Sequence, residues 1–261
     1  MPRLSIEHRD HIAFVTLTRG DKMNALDPEM VDAILAAGAE LAETSARAVV
    51  LSGEGKAFCA GLDVMSFAAM AQGNLSERVA ERSHHDANWM QEVALTWRRI
   101  PVPVIAALHG AAYGAGLQIA MGADIRIAAP DTKLAIMEMK WGLIPDMGGM
   151  ALWPQLLRSD VLRQLTYTAA PVDAAQAERW GLVTQVSDDP LQTATELATQ
   201  IAGQGPNAIR KAKALIDFAE SEATRAEILA RESADQNDLI GKPEQMEIIA
   251  ARMQGRAPKF D

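Results

Sequence analysis

The longest apolar stretch, Val102 to Ala129, restricts the fold of this chain more than any other feature. It is broken by His109, Gly110, Gly114, Gly116, Gly122, Asp124 and Arg126, so it does not read as a single membrane span. Short apolar runs bounded by glycine predict buried strands joined by tight turns. Val104–Leu108 reads as a buried strand, His109–Gly114 as a turn of small residues, Ala115–Met121 as a short helix and Asp124–Ala128 as another strand.

The flanking sequence extends this alternation. Leu4–Arg9 and Ile12–Thr18 predict a β-hairpin turning at Arg9-Asp10-His11. Asp27-Pro28-Glu29 reads as N-cap, first helical residue and dipole-complementing acid, opening a helix to about Thr44. Ala48–Leu51 reads as a short buried strand, followed by a loop at Ser52–Lys56. Asp63 is expected to cap a helix to about Ala71, broken at Gln72-Gly73-Asn74, and a long helix is expected over Glu77–Arg99, ended by Pro101 and Pro103. Beyond Gly149 the expectation is helical: Arg158–Thr168, Asp173–Trp180, Pro190–Ala202, Pro206–Ala219, Glu222–Leu239 and Pro243–Met253, with one late strand at Leu182–Val186. This is an α/β pattern followed by a helical tail.

Charge and cysteine usage exclude some functions. A formal net charge of -9 argues against diffuse binding to nucleic acid or an anionic membrane. Cys59 is the sole cysteine, so no intrachain disulfide forms and a reducing compartment is expected. Met1–Glu7 lacks the apolar core of a signal peptide, which leads to the expectation of a cytoplasmic protein. No His/Cys/Asp set has metal-ligand spacing, and no metal is expected.

Three segments are candidates for chemistry. Lys56-Ala57-Phe58-Cys59-Ala60-Gly61-Leu62-Asp63 follows a strand and opens a helix, where small residues and unpaired amides suit a negatively charged ligand atom. Gly110-Ala111-Ala112-Tyr113-Gly114-Ala115-Gly116 is a second such turn, and it is neither a dinucleotide fingerprint nor a phosphate-binding P-loop. Two such loops aimed at one carbonyl oxygen would stabilise an enolate or tetrahedral oxyanion. The third segment, Ile136 to Asp146, sets Glu138 among methionines, a tryptophan and aliphatics. Desolvation there would raise its proton affinity, as a general acid/base requires; the alternative is a solvent-facing Glu138 paired with Lys140. Cys59 has no evident base beside it, His84 and His85 lie in a polar stretch, and His109 reads as structural.

Together these segments resemble the crotonase (enoyl-CoA hydratase/isomerase) family, most strongly from Arg47 to Val186. The string Pro103–Gly110, Gly114-Ala115-Gly116, Asp124–Ala128, Glu138 and Gly142–Gly149 carries the resemblance. It implies an α/β fold with a crotonase-like ββα spiral core over residues 1–190. A helical C-terminal region over 191–261 would serve trimerisation and cover the CoA. The implied partner is an acyl-CoA, with coenzyme A as part of the substrate and no separate cofactor. The implied assembly is a homotrimer or homohexamer. By position, the resemblance assigns the oxyanion hole to the amides of Leu62 and Ala115, where the family usually has Gly at the second site. It assigns substrate contacts to Lys22, Met23, Ala60, Asp63, Gly114 and Phe260. Arg252, Arg256 and Lys259 would meet phosphates or simply be solvated. Family hydratases commonly use two glutamates; one maps to Glu138 and the other to Gln118, which cannot take a proton. Asp146 matches an acidic position of family dienoyl-CoA isomerases, or else caps the helix near Gly148. The resemblance therefore implies a double-bond shift with Glu138, or Glu138 and Asp146, as proton shuttle. The alternatives are hydration of a 2-enoyl-CoA, another family reaction such as thioester hydrolysis or dehalogenation, and a non-catalytic acyl-CoA-binding subunit.

Overall fold

The hairpin at the N-terminus fixes the edge of the main sheet. The computed structural model of the chain describes residues 2–66 and 75–260. Strands β1 (Leu4–Arg9) and β2 (Ile12–Leu17) pair antiparallel from Arg9↔Ile12 to Leu4↔Leu17. Asp10 (φ 49°) and His11 (φ 63°) both adopt positive φ, the backbone required of a two-residue turn whose twist matches the strands. The chain then runs through α1 (Pro28–Ala42) into β3 (Ala48–Gly53), which lies parallel to β2. As expected, the Asp27 side chain accepts from the Met30 N–H and Pro28 opens the helix.

The apolar run supplies the centre of the sheet. Strands β4 (Val104–Leu108) and β6 (Ile125–Ala128) continue the parallel set, giving the order β1-β2-β3-β4-β6-β9, with β9 at Gln185–Val186. Every residue of β4 is buried, because both faces of the sheet are covered. Alternate residues divide between two cores. Val49, Leu51, Val104 and Ala106 face Ile34 and Leu41 of α1 and Val93 and Trp97 of α3 (Trp89–Arg99). Val50, Ile105 and Ile127 face Ala194, Ala198 and Ala202 of α8 (Pro190–Ala202). A second sheet, β5 (Ala111–Tyr113), β7 (Lys133–Ala135) and β8 (Val172–Asp173), was not expected from the residues: its strands are too short to show a period, and β5 lies in what reads as a turn.

One helix expectation falls largely outside the described residues and two others change. Only residues 64–66 of the helix expected after Asp63 are described; 67–71, and the break expected at 72–74, lie outside the described residues. The helix expected over Glu77–Arg99 is two helices, α2 (Leu75–Ala80) and α3. The Asn88 side chain accepts from the Met90 and Gln91 N–H groups while Gln91 reaches back to the Asn88 N–H, a capping box that starts a new helix. Helices α4 (Ala115–Gly122), α5 (Gly149–Leu156), α6 (Ser159–Thr168) and α7 (Ala174–Trp180) precede α8. The tail is α9 (Pro206–Ala219), α10 (Arg225–Asn237) and α11 (Pro243–Met253). Helix α10 starts later than expected because Thr224 forms a capping box with Glu227. Among the described residues, no helix is long and apolar enough to cross a membrane.

Candidate active site

Parallel strands β3 and β4 leave the sheet at the same edge, where crevices form beyond the carboxyl ends of strands. The loop after β3 is zipped on both sides by backbone pairing. On one side Ala60 N–H donates to the Met23 carbonyl (2.9 Å), Leu26 N–H to that of Gly61 (2.8 Å) and Asp63 N–H to that of Leu26 (2.8 Å). On the other, Cys59 N–H donates to the Ala111 carbonyl and Tyr113 N–H to that of Cys59, both at 3.0 Å. This register engages the Gly61 carbonyl and the Asp63 N–H, on either side of Leu62, and leaves the Leu62 N–H without an acceptor among the described residues. Ala115 is the first residue of α4, so its N–H has no partner within the helix and finds none outside it among the described residues.

Glycine lets the two loops meet. A Cβ on Gly116 would lie 2.3 Å from the Cys59 carbonyl oxygen. One on Gly61, where φ is +99°, would lie 2.8 Å from the Tyr113 carbonyl oxygen and 3.8 Å from the Ala115 nitrogen. Leu62 and Ala115 consequently border one cleft of about 430 Å³, which Ala60, Gly114, Glu138 and Trp141 also line.

Glu138 enters the cleft from a 3₁₀ turn (Glu138–Trp141) shortly after β7. Its Oε1 accepts from Gln118 Nε2 at 2.6 Å, whereas its Oε2 is buried with no hydrogen-bond partner among the described residues. Burial raises its pKa above the usual carboxylate value, and the charge of Asp146 adds to the rise. The pairing with Lys140 is absent. Asp146 does not cap the helix near Gly148: α5 begins at Gly149 with Gly148 as its N-cap and no side-chain cap. Asp146 is exposed and does not line the cleft; partial desolvation of its carboxyl still raises its pKa.

The other anticipated residues divide. Lys22 and Met23 lie exposed beside the pairing with Ala60. Asp63 is tied to Arg19 at 2.8 Å, which lowers its pKa, and it also accepts from the Met65 and Ser66 N–H groups. Phe260 lies elsewhere, its ring 5.2 Å from the Arg47 guanidinium, and lines a larger groove of about 740 Å³ in the helical tail that shares no lining residue with the cleft. Arg256 is engaged by Glu247, whose pKa it pulls down to about 2. Burial pushes the Cys59 thiol up to about 12, and Sγ donates to the Asn24 carbonyl, so Cys59 is no nucleophile at neutral pH. His109 Nε2 contacts the Gly55 carbonyl at 3.1 Å. His84 and His85 lie in a turn between α2 and α3 rather than in a helix.

Sequence reasoning missed the side-chain role of Asn24. It is fully buried at φ 54°; its Nδ2 donates to the carbonyls of Glu54 and Ala57 at 2.9 Å and of Phe58 at 3.1 Å, and its Oδ1 accepts from the Arg19 N–H. Asn is among the few residues that tolerate left-handed backbone, and that is the signal that could have found it. Asn24→Ala leaves these buried groups unpaired in a conformation alanine resists, so denaturant unfolding should show a loss of at least about 2 kcal/mol.

The raised pKa of Glu138 also has a thermodynamic sign. The folded state holds this proton more tightly than the unfolded chain, so the associated stability is full below the unfolded pKa and is lost as pH rises through the folded one. Glu138→Gln cannot ionise. Its melting temperature relative to the parent should therefore climb as pH rises from acid to neutral; a constant difference would contradict the burial cost.

Known proteins share this fold and sequence. The family model described as "Enoyl-CoA hydratase/isomerase" matches residues 7–260. The enoyl-CoA hydratase EchA19 of Mycobacterium tuberculosis is 33% identical over 223 residues, covering 80% of this chain and 78% of the relative. The enoyl-CoA isomerase/hydratase fer4 of Mycosarcoma maydis is 32% identical over 218 residues, covering 82% of this chain and 76% of the relative. The crystal structure of the enoyl-CoA hydratase from Bacillus anthracis superposes with a TM-score of 0.90 at 28% identity, covering 99% of this chain and 98% of that one. The fold is thus the crotonase-like α/β core with a helical C-terminal region, and the chain belongs to the enoyl-CoA hydratase/isomerase family.

Proposed function

We propose that this chain shifts a carbon–carbon double bond along the acyl group of an enoyl-CoA, with Glu138 as the proton shuttle. The observation that carries the reading is the single carboxyl oxygen, Glu138 Oε2, left buried and unpaired on a cleft that the unpaired amides of Leu62 and Ala115 also border. A thioester oxygen between those amides would accept two hydrogen bonds that strengthen as charge develops on it, and one such donor is worth ~3–4 kcal/mol of barrier. Glu138 Oε2 removes the C2 proton of a 3-enoyl thioester, and the electron pair delocalises through C1 onto the oxygen as a dienolate. Return of that proton from Glu138 to C4 moves the double bond to C2–C3 and restores the Glu138 carboxylate; delivery from a protonated Asp146 instead would leave Asp146 ionised and Glu138 protonated, and a proton would have to pass back from Glu138 to Asp146 before the next turnover. Its raised pKa brings Glu138 closer to the operating pH of such a base. The nucleotide and pantetheine of CoA would run past Lys22, Met23, Ala60 and Asp63, with the thioester beside Gly114. Phe260 would contribute only through a CoA that reaches the helical tail.

A second reading is hydration of a 2-enoyl-CoA. It is favoured by the raised pKa of the Asp146 carboxyl, which makes no ion pair within the described residues, and by the hydratase names of the M. tuberculosis and B. anthracis relatives. Exposed apolar side chains in the helical tail, among them Ile216, Leu229, Ile240 and Ile249, support assembly into trimers or hexamers. We place the enzyme in the cytoplasm and assign it no cofactor besides the CoA of its substrate.

Incubation with a 3-enoyl-CoA should generate the absorbance of a conjugated 2-enoyl thioester, and Glu138→Gln should slow this by at least ~10²-fold. Loss of that absorbance from crotonyl-CoA, without isomerisation of the 3-enoyl substrate, would favour hydration. Binding without turnover on either would mark a non-catalytic acyl-CoA-binding subunit.

A further inference from the structure

We infer that Gln118 is a positioning residue that locks the Glu138 carboxyl, so that Oε2 alone exchanges protons with the substrate. The inference rests on the reading of Glu138 as the base. Gln118 is wholly buried in α4, three residues beyond Ala115. It does not line the cleft and stands behind Glu138. Its amide has one tenable orientation. Oε1 accepts from the Met147 N–H and the Gly149 N–H, both at 3.0 Å, which leaves the nitrogen facing Glu138. In the flipped amide, two backbone donors would face an NH₂ group and an oxygen would face a carboxylate oxygen.

A fixed donor can meet only a lone pair. Glu138 Oε1 is therefore held as an acceptor in both protonation states, and the proton, when present, sits on Oε2. The clamp needs the chain at 147–149 to come close. A Cβ on Gly149 would lie 2.9 Å from Gln118 Oε1 and 2.7 Å from Cη2 of Trp153, so the bare glycine backbone is what fits there. Helix α4 thus carries the Ala115 amide at its first residue and, one turn on, the side chain that orients the carboxyl. One rigid element sets both groups relative to each other. Rotation of Glu138 would exchange its oxygens and break the 2.6 Å hydrogen bond.

The test compares Gln118→Met, which keeps bulk but loses both hydrogen-bonding roles, with Gln118→Glu, which keeps an acceptor for the Met147 and Gly149 amides but loses the donor. Glu138→Gln serves as reference. The readouts are kcat and KM for a 3-enoyl-CoA, the pH dependence of kcat/KM, and the ¹³C titration of the Glu138 carboxyl carbon. Loss of orientation should lower kcat by at least about tenfold in each Gln118 variant with KM little changed. The acid limb of the pH profile and the carboxyl titration should both move to higher pH, further in Gln118→Glu because it brings a second carboxyl against the first. Should Gln118→Met fail to fold, Gln118→Glu decides alone. Wild-type kcat and an unmoved pH limb in the folded Gln118 variants, with Glu138→Gln inactive, would overturn the positioning role and leave the base intact. An active Glu138→Gln would remove the base reading, and this inference with it.

Discussion

The site depends on the register in which three backbone segments pair. Residues 23–26, 58–63 and 109–113 are laced together by hydrogen bonds that use the amides of Ala60 and Asp63 and pass over that of Leu62. A shift of one residue would hide the Leu62 N–H and expose a neighbour instead, since alternate groups along an extended chain point to opposite sides. Asn24 holds this register from within, its Nδ2 donating to the carbonyls of Glu54, Ala57 and Phe58 in the loop after β3. The second unpaired amide, on Ala115, follows from the geometry of any helix start. Gly61 and Gly116 then let the two loops come together, and both amides belong to main chain that the core supports.

Placing a carboxyl beside these amides works against stability. Burial of Glu138 penalises its charged form, and its Oε2 receives no compensating hydrogen bond. The surrounding structure keeps it there. Strand β7 delivers the chain, the 3₁₀ turn projects the side chain, and Gln118 restrains one oxygen. Among the described residues one acid oxygen and two amides are left unpaired, and the substrate proposed for the site has the matching groups on adjacent atoms.

Much of the scaffold was legible because it is written in local codes. The positive-φ hairpin at Asp10-His11, the Asp27-Pro28 helix start and the proline-opened helices at Pro190, Pro206 and Pro243 each depend on a few neighbouring residues. The Asn88 capping box was equally local, yet the helical run around it masked the boundary. The second sheet was not legible, because three-residue strands have no period and are defined by partners far along the chain. Of the site, Glu138 could be singled out from its apolar neighbours, and the turns at Leu62 and Ala115 from their glycines. Individual residue roles came from the family resemblance. Unpaired main-chain groups are set by register, which composition does not encode, and the side-chain work of Asn24 and Gln118 involves partners tens of residues away.

The proposed chemistry starts from two main-chain amides, of Leu62 and Ala115, meeting at the thioester oxygen. The ¹³C resonance of butyryl-CoA labelled at C1 reports on this directly, because this acyl group has no double bond to shift and hydrogen bonds to the carbonyl deshield its carbon. With both amides engaged, the bound signal should lie downfield of the free one. A bound signal at or upfield of the free position would contradict it.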